Sequence, residues 1–432
     1  MASLASVDAP SARRGPEPRR LLLGAFGDPG HAFPMIALGR ALVARGHDVT
    51  LQTWGRWRGA VQSEGMTFAA APEYPVFPTQ PRPLKPYEAV VRATRETLAL
   101  VRELRPDAVV ADILTLAPAL AAELEGIPVA TLIPHVYPAG GPGLPTYSVG
   151  ARLPRTAAGR AFWKRLERLT DGGLATGRAE LNGTRKRLGL EPVAHFHGGL
   201  SRELVLVATF PQLEYPRDWP AHTHVIGPLM WEPAAEDVEL PPGDAPLVLV
   251  APSTVQDPDH VLLAAALRGL ADAPVRVLAT WNRRPPPHSL PVPDNARLVE
   301  WLSYSRTMPR CDIVVCHAGH GTLMRALSSG CAVVACPAGG DMNENAARVD
   351  WAGVGVRLPR RFIAPRPVRL AVERVLGDAR IRAQARELAG WSAGHDAGRS
   401  AARLLEELGS GRASDPTAEA AADAGDRPRG RP

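Results

Sequence analysis

Two short loops hold the residues best able to do chemistry in this sequence. The first, GAFGDPGH (24–31), follows an apolar run and precedes an amphipathic stretch. His31 stands at that junction, where an imidazole can reach a cleft and accept a proton from a substrate. A purely structural role, capping the loop, is the alternative. Asp112 closes another apolar run, VVAD (109–112), in an equivalent place. A carboxylate there can orient an imidazole and stabilise its cation, or it can cap the helix that follows. The glycine spacing of the first loop is GxxGxxG and no acid ends the next strand, DVTLQTW, so a dinucleotide site is disfavoured.

The second loop, HAGHGT (317–322), joins a strand to a helix N-terminus. Such a junction offers backbone N–H groups and the positive end of a helix dipole to a phosphate. Gly319 and Gly321 permit close backbone approach, Thr322 adds a hydroxyl, and His317 adds a hydrogen bond. The lysine of a phosphate-hydrolysing loop is missing, so a diphosphate held as a leaving group fits better than nucleotide hydrolysis. A tight turn with no ligand is the competing reading.

Two patterns invite a metal and are rejected. Cys311, Cys316, Cys331 and Cys336 form two C-x4-C pairs, but Cys316 and Cys336 lie in or beside the apolar runs IVVC and AVVAC, which read as strands. Buried thiols are expected instead. Asp257-Pro-Asp259 has the spacing of a metal-binding acid pair, yet it opens a helix, where aspartate caps and complements the dipole. No metal and no cofactor are expected.

These loops need a scaffold that presents strand ends to a cleft. From Arg20 the chain reads strand, loop, helix, Gly stop and strand, and DAVVAD, TLAPALAAELEG and PVATLIP repeat the pattern. It starts again at PLVLVAPST (246–254) and continues through VRVLATW, RLVEW and CDIVVCHAGHGTLMRALSSGCAVVACP. The predicted fold class is therefore α/β, with two doubly wound domains facing across a cleft. The expected division is a tail over 1–18, an N-terminal domain over 19–228 and a linker over 229–242, Pro-rich and acidic. A C-terminal domain over 243–385, helices over 386–408 packing back on the first domain, and a tail over 409–432 complete it. Both tails are poor in large apolar groups and are expected to be disordered.

The length of 432 residues suits two domains. No apolar run approaches the ~20 residues of a membrane span, and residues 1–18 do not read as a signal peptide, so a cytoplasmic protein is expected. The net charge of +6 comes from 50 basic and 44 acidic residues. Lysine occurs only at Lys85, Lys164 and Lys186, and the arginines are scattered, so nucleic-acid binding is not expected.

With those residues in place, the sequence over about 20–408 resembles the family 1 nucleotide-sugar glycosyltransferases of GT-B fold, of the bacterial type that decorates natural products. GHAFPMIALGRALVARGHDVT looks like that family's opening helix and strand, PDAVVAD like its acid-ended strand, and RLVEWL with the segment from Cys311 to Val349 like its donor signature. The resemblance implies that His31 deprotonates an acceptor hydroxyl or amine and that Asp112 supports it. It implies that Trp301, followed by Leu302, stacks on the nucleotide base. His317, Gly319, His320, Gly321 and Thr322 would hold the diphosphate, with Ser253 and Thr254 near it. Asp341 would bind sugar hydroxyls, with Met342 beside it and Asn345 in the same helix.

Two positions depart from the family pattern. Ser303-Tyr304 stands where a Pro-Gln pair is usual, and Met342 where a glutamine is usual. A thioether in place of an amide loses two donors and an acceptor, so a deoxygenated donor sugar is expected. The implied reaction is an inverting, metal-independent transfer from a UDP- or dTDP-sugar to a small lipophilic aglycone. PHVYPAGGPGLPTYSVG (134–150) and RAFWKRL (160–166) are candidate walls for the aglycone. A homodimer is compatible with the sequence. A nucleotide-sugar epimerase, or a non-catalytic homologue that activates a partner transferase, are the alternatives.

Overall fold

The structure, a computed structural model, describes residues 17–73, 86–194, 199–253 and 257–408. Residues 1–16 of the tail expected over 1–18, and all of the tail expected over 409–432, therefore lie outside the described residues, as does Thr254. The described residues form two parallel sheets. The first contains β1 (Arg20–Gly24), β2 (Asp48–Thr53), β3 (Thr67–Ala70), β4 (Ala108–Asp112), β5 (Val129–Ile133), β6 (Leu204–Val207) and β7 (Thr223–Val225). The second contains β8 (Leu247–Ala251), β9 (Arg276–Thr280), β10 (Ala296–Val299), β11 (Ile313–Cys316), β12 (Ala332–Ala335) and β13 (Gly355–Arg357).

The strand orders are β3-β2-β1-β4-β5-β6-β7 and β10-β9-β8-β11-β12-β13. Each sheet reverses its winding once, between β1 and β4 and between β8 and β11, and these reversals open crevices at the strand C-termini. Continuous apolar runs make these strands because both faces are covered by helices: every residue of β4, β5, β8, β11 and β12 is buried. All four cysteines are free and buried in or beside these strands. Burial pushes the Cys316 thiol up to about 11 and Cys311 to about 12, which makes both poor metal ligands and poor nucleophiles. Among the described residues no group of His, Cys, Asp and Glu is arranged to hold a metal ion. Nor is any helix there long and apolar enough to cross a membrane.

Among the ties between the two halves are three outside the loops already singled out. Linker residue Trp231 is buried against Phe33 and donates Nε1 to Glu64 at 2.6 Å, while the next residue, Glu232, accepts from Ser303 and Ser305 of the second half. Arg348, in the helix Asp341–Ala352, donates to the Leu213 carbonyl at 3.0 Å, faces Glu214 at 3.4 Å and lies over the Tyr215 ring. Glu344 one turn earlier accepts from Arg348 Nε at 3.0 Å, so the buried cation has partners in both halves.

The third tie is the end of the described chain. The helix Ala379–Ala393 packs on the second sheet's core through Ile381, Ala385 and Leu388, so the division expected at 386 falls inside a helix that stays with that half. The crossing comes later, where His395 Nε2 donates to the Ile226 carbonyl at 2.9 Å. The helix Ala397–Glu407 then buries Ala397, Ala401 and Leu405 in the first core. Glu406 receives a two-pronged bond from Arg45, at 2.6 and 2.8 Å, and a contact from His47 at 3.0 Å. Burial works to raise the Glu406 pKa, but Arg45 and His47 outweigh it and the net shift is downward. The clasp therefore stabilises the fold above the ordinary glutamate value of 4.5 and loses its effect as pH falls through the lower folded value. Glu406→Gln is expected to cost roughly 1–2 kcal/mol, a Tm lower by a few degrees at pH 7, with the difference vanishing in strong acid. Equal melting at pH 7 would remove the clasp from the stability account.

Candidate active site

The loop after β1 is shaped by packing. A Cβ on Gly24 would meet Pro118 at 2.4 Å, and one on Gly27 would enter the Trp54 ring at 2.0 Å, so these glycines serve close contacts within the first half. His31 lies in the first turn of the helix Pro29–Val43, slightly further along than expected. Its Nδ1 is 2.8 Å from Asp112 Oδ1. Asp112 also accepts from the backbone N–H of Phe26 at 3.1 Å and Leu114 at 3.3 Å. The following helix starts at Leu116 with Thr115 in the cap position, so Asp112 does not cap it.

That geometry fixes the imidazole's role. A carboxylate accepts only, so Nδ1 carries the proton and Nε2 keeps its lone pair. The Asp112 side chain is fully buried and the His31 side chain is 18% exposed, enough to meet a substrate. Burial works to lower the His31 pKa, but the hydrogen bond and charge of Asp112 outweigh it, and the net shift is upward. Smaller contributions in the same direction come from Asp28 and, from the other half, Asp341. A base with a raised pKa accepts a proton more strongly and stays useful near neutrality.

His135 and Tyr147 share this space and were not singled out individually by the sequence. The His135 ring lies 6.5 Å from that of His31, its Nδ1 is 2.8 Å from the Val136 carbonyl, and the Tyr147 hydroxyl is 3.2 Å from Nδ1. Burial first, and then the neighbouring His31, lower the His135 pKa. The signal was its place: PHVY follows β5, next to β4, at the same sheet edge as Asp112. Exposed apolar side chains occur in the neighbouring segments, Leu114 just past β4, Val149 in the 134–150 loop and Phe162 in the helix Ala157–Leu188.

The second loop lies at the other reversal. Gly319 caps the helix His320–Ser328 without a side-chain bond, so the first amides of that helix stay available. Cβ atoms built on Gly319 or Gly321 would meet nothing within 4 Å. Ala318 holds a left-handed φ of 57° and its carbonyl accepts from Asn345 Nδ2 at 2.9 Å. The space in front of this turn is open and lined by N–H donors, which suits an anion.

Several expected ligands have other partners. His317 Nδ1 accepts from the Ser253 N–H at 2.7 Å, and Nε2 faces Asp257 at 3.5 Å, so the ring buttresses the loop with both nitrogens. Asp257 is held by the Val261 and Leu262 amides at 3.0 and 3.2 Å, as expected of a helix-opening acid. His320 turns its Nε2 to the Ala208 carbonyl at 3.1 Å, and burial pulls its pKa down to about 4, so the neutral ring joins the two halves and carries no charge to a phosphate. Asn345 is fully buried beneath Ala318 and supports the turn from below. Leu302 is 2% exposed in the apolar core, leaving only its backbone for a ligand. Trp301 is partly exposed, Thr322 and Met342 are half-buried, and Asp341 is exposed at the N-terminus of its helix, after Gly340 with φ of 54°.

The buried Asp112 carboxylate paired with His31 lies at the reversal of one parallel sheet, and an uncapped helix N-terminus lies at the reversal of the other. Comparisons with known proteins identify the family. Residues 264–408 match a family described as "Erythromycin biosynthesis protein CIII-like, C-terminal domain", and residues 35–204 match "Glycosyltransferase Family 4". The chain is 30% identical over 423 residues to 4'-demethylrebeccamycin synthase of Lentzea aerocolonigenes, covering 90% of this chain and 99% of that relative. Its fold is similar to that of the glycotransferase of kitacinnamycin, with a TM-score of 0.71 at 21% identity over 91% of this chain and 99% of that one. A Streptomyces sp. SF2575 glycosyltransferase, complexed with thymidine diphosphate, gives a TM-score of 0.62 at 22% identity, covering 90% and 100%. The chain belongs to the bacterial natural-product glycosyltransferases of GT-B fold, and it is a glycosyltransferase.

Proposed function

We propose that this enzyme transfers a sugar, with inversion, from a UDP- or dTDP-sugar to a hydroxyl or amine of a small lipophilic natural product, without a metal ion. The observation that carries the reading is the His31–Asp112 pair at 2.8 Å, with the carboxylate fully buried and the imidazole partly exposed. In one step His31 Nε2 takes the acceptor proton, the acceptor atom bonds to the anomeric carbon, and the bond to the diphosphate oxygen breaks with its electrons on the diphosphate. The N–H groups around Gly319 and Gly321 stabilise that departing charge. A single displacement inverts the anomeric centre. Asp341 is the acid for sugar hydroxyls, and Met342 beside it favours a less hydroxylated sugar. The exposed apolar residues Leu114, Val149 and Phe162 support a lipophilic acceptor. A thymidine diphosphate complex of a structurally similar enzyme supports a nucleoside diphosphate as the leaving group.

The test is incubation of the purified protein with UDP- and dTDP-sugars and a panel of phenols, indoles and macrolides, with products read by mass. Expected are sugar adducts of at least one lipophilic acceptor, undiminished in EDTA and lost in His31→Ala. Loss in EDTA restored by Mg²⁺ would overturn the metal-independent reading, and full activity of His31→Ala would overturn the base.

A further inference from the structure

His135 is a second imidazole beside the base, and the displacement derived above gives it nothing to do. Its ring centroid lies 6.5 Å from that of His31, at an interplanar angle of 76°. The backbone that carries it is pinned. His135 follows β5, which pairs with β4 and so shares the sheet edge that ends in Asp112. Two residues on, the Tyr137 N–H donates to the buried Glu214 carboxylate at 2.7 Å.

The ring is fixed as well. Its Nδ1 lies 2.8 Å from the Val136 carbonyl oxygen and 3.2 Å from the Tyr147 hydroxyl. A carbonyl only accepts, so Nδ1 carries the proton, and Nε2 on the far side of the ring keeps a lone pair. Among the described residues nothing bonds to Nε2, and it is not sealed from solvent. The two imidazoles also differ in basicity. Burial, and then His31, lower the His135 pKa, whereas Asp112 raises that of His31. Environments that push two such groups apart assign the proton transfer to His31 and leave His135 neutral, an acceptor only.

We propose that His135 Nε2 accepts a hydrogen bond from a second O–H or N–H of the aglycone, so that the enzyme selects acceptors with two polar hydrogens on neighbouring positions of one ring system; this rests on the small lipophilic acceptor read above. One hydrogen goes to His31 as its atom attacks the sugar. The other stays on its own atom, so His135 orients and selects while the bonds that form and break are those of the single displacement. The contact is assigned to the aglycone because His135 stands beside the base in the first half, and its loop ends in the exposed apolar side chain of Val149. An aglycone with one donor would cover Nε2 without pairing it, and a site built to hydrogen-bond a group rejects the analogue that lacks it.

A matched pair of naphthols tests this with the full chain and a UDP- or dTDP-sugar: naphthalene-2,3-diol, with two adjacent hydroxyls, and 3-methoxy-2-naphthol, in which one is capped. The wild type is expected to favour the diol about tenfold or more in kcat/KM, well beyond the twofold that a second nucleophile would give. His135→Phe is expected to lower the diol about tenfold and leave the ether within about twofold, bringing the two together. His135→Gln, whose amide oxygen can accept, is expected to restore part of the preference. A wild type without preference would overturn the proposal whether or not the variants fold, and so would a preference that survives in His135→Phe. Equal losses for both naphthols in a His135→Phe variant that melts like wild type would move the contact to the donor sugar and overturn the aglycone assignment. Transfer to neither naphthol by the wild type would overturn the phenolic acceptor itself, and the proposal with it.

Discussion

Asp112→Asn is expected to lower kcat by about two to four orders of magnitude and to move the acid limb of kcat/KM to lower pH. The direction follows from the opposing influences on His31. Burial alone would lower its pKa, and the Asp112 hydrogen bond and charge reverse that. With the charge gone, burial prevails and the imidazole loses its proton at lower pH. The rate nevertheless falls at every pH, for two reasons. An amide facing Nδ1 can donate to it and favour the tautomer whose proton sits on Nε2, the atom that should accept. The imidazolium formed in the transition state also loses its buried counter-charge. With the amide nitrogen turned to His31, the remaining oxygen still accepts from the Phe26 amide, whereas the Leu114 amide, which donated to the same Oδ1 as His31, loses its acceptor. A pH-rate profile of wild type and variant decides the matter. An acid limb that stays put while kcat falls would mean that some other group titrates in it, and an unchanged kcat would deny Asp112 any part in the chemistry.

The strands that carry this site were legible because both of their faces are buried, which writes them as short apolar runs: LLLG, VVAD, LVLVA and IVVC each end where a functional loop begins. The positions of His31, Asp112 and the glycine loop followed from that punctuation. What a linear pattern could not supply was direction. His317 and His320 sit three residues apart in one motif, yet one ring buttresses the Ser253 backbone and the other crosses to Ala208 in the opposite half. Both contacts involve residues far away in sequence, so no local spacing encodes them. The helix Ala157–Leu188 was hidden for a different reason: it contains Gly159, Gly172, Gly173, Gly177 and Gly183, which depress helix propensity. Its start is set by Thr156, whose side chain accepts from the Gly159 N–H, and its end by Gly189 with φ of 79°. The Arg348 contacts with Leu213 and Glu214 were equally invisible, because an arginine in a polar-looking helix gives no sign that it will be buried between two domains.

Gly321→Val is expected to weaken UDP and dTDP binding tenfold or more while leaving thermal stability within a degree or two of wild type. The structure separates the two effects. Gly321 is exposed in the first turn of the helix His320–Ser328, and a Cβ there would touch no protein atom within 4 Å. Removing glycine from a helix relieves its entropic disadvantage, about 0.5–1 kcal/mol for alanine and less for a β-branched residue, so folding should not suffer. The branched side chain would instead project from the turn whose amides are uncapped. A charge-assisted bond from such an amide to a phosphate oxygen is worth roughly 1.5–3 kcal/mol, so displacing the anion from one donor costs about ten- to a hundredfold in affinity. Gly321→Ala, with a single methyl, should fall between the two. The tight-turn reading of the same motif makes the opposite forecast, since a turn with no ligand would tolerate valine with no change in nucleotide affinity. Calorimetry beside thermal melting distinguishes them: a valine variant that melts like wild type and binds UDP and dTDP like wild type would leave the HAGHGT loop as scaffold and send the diphosphate elsewhere.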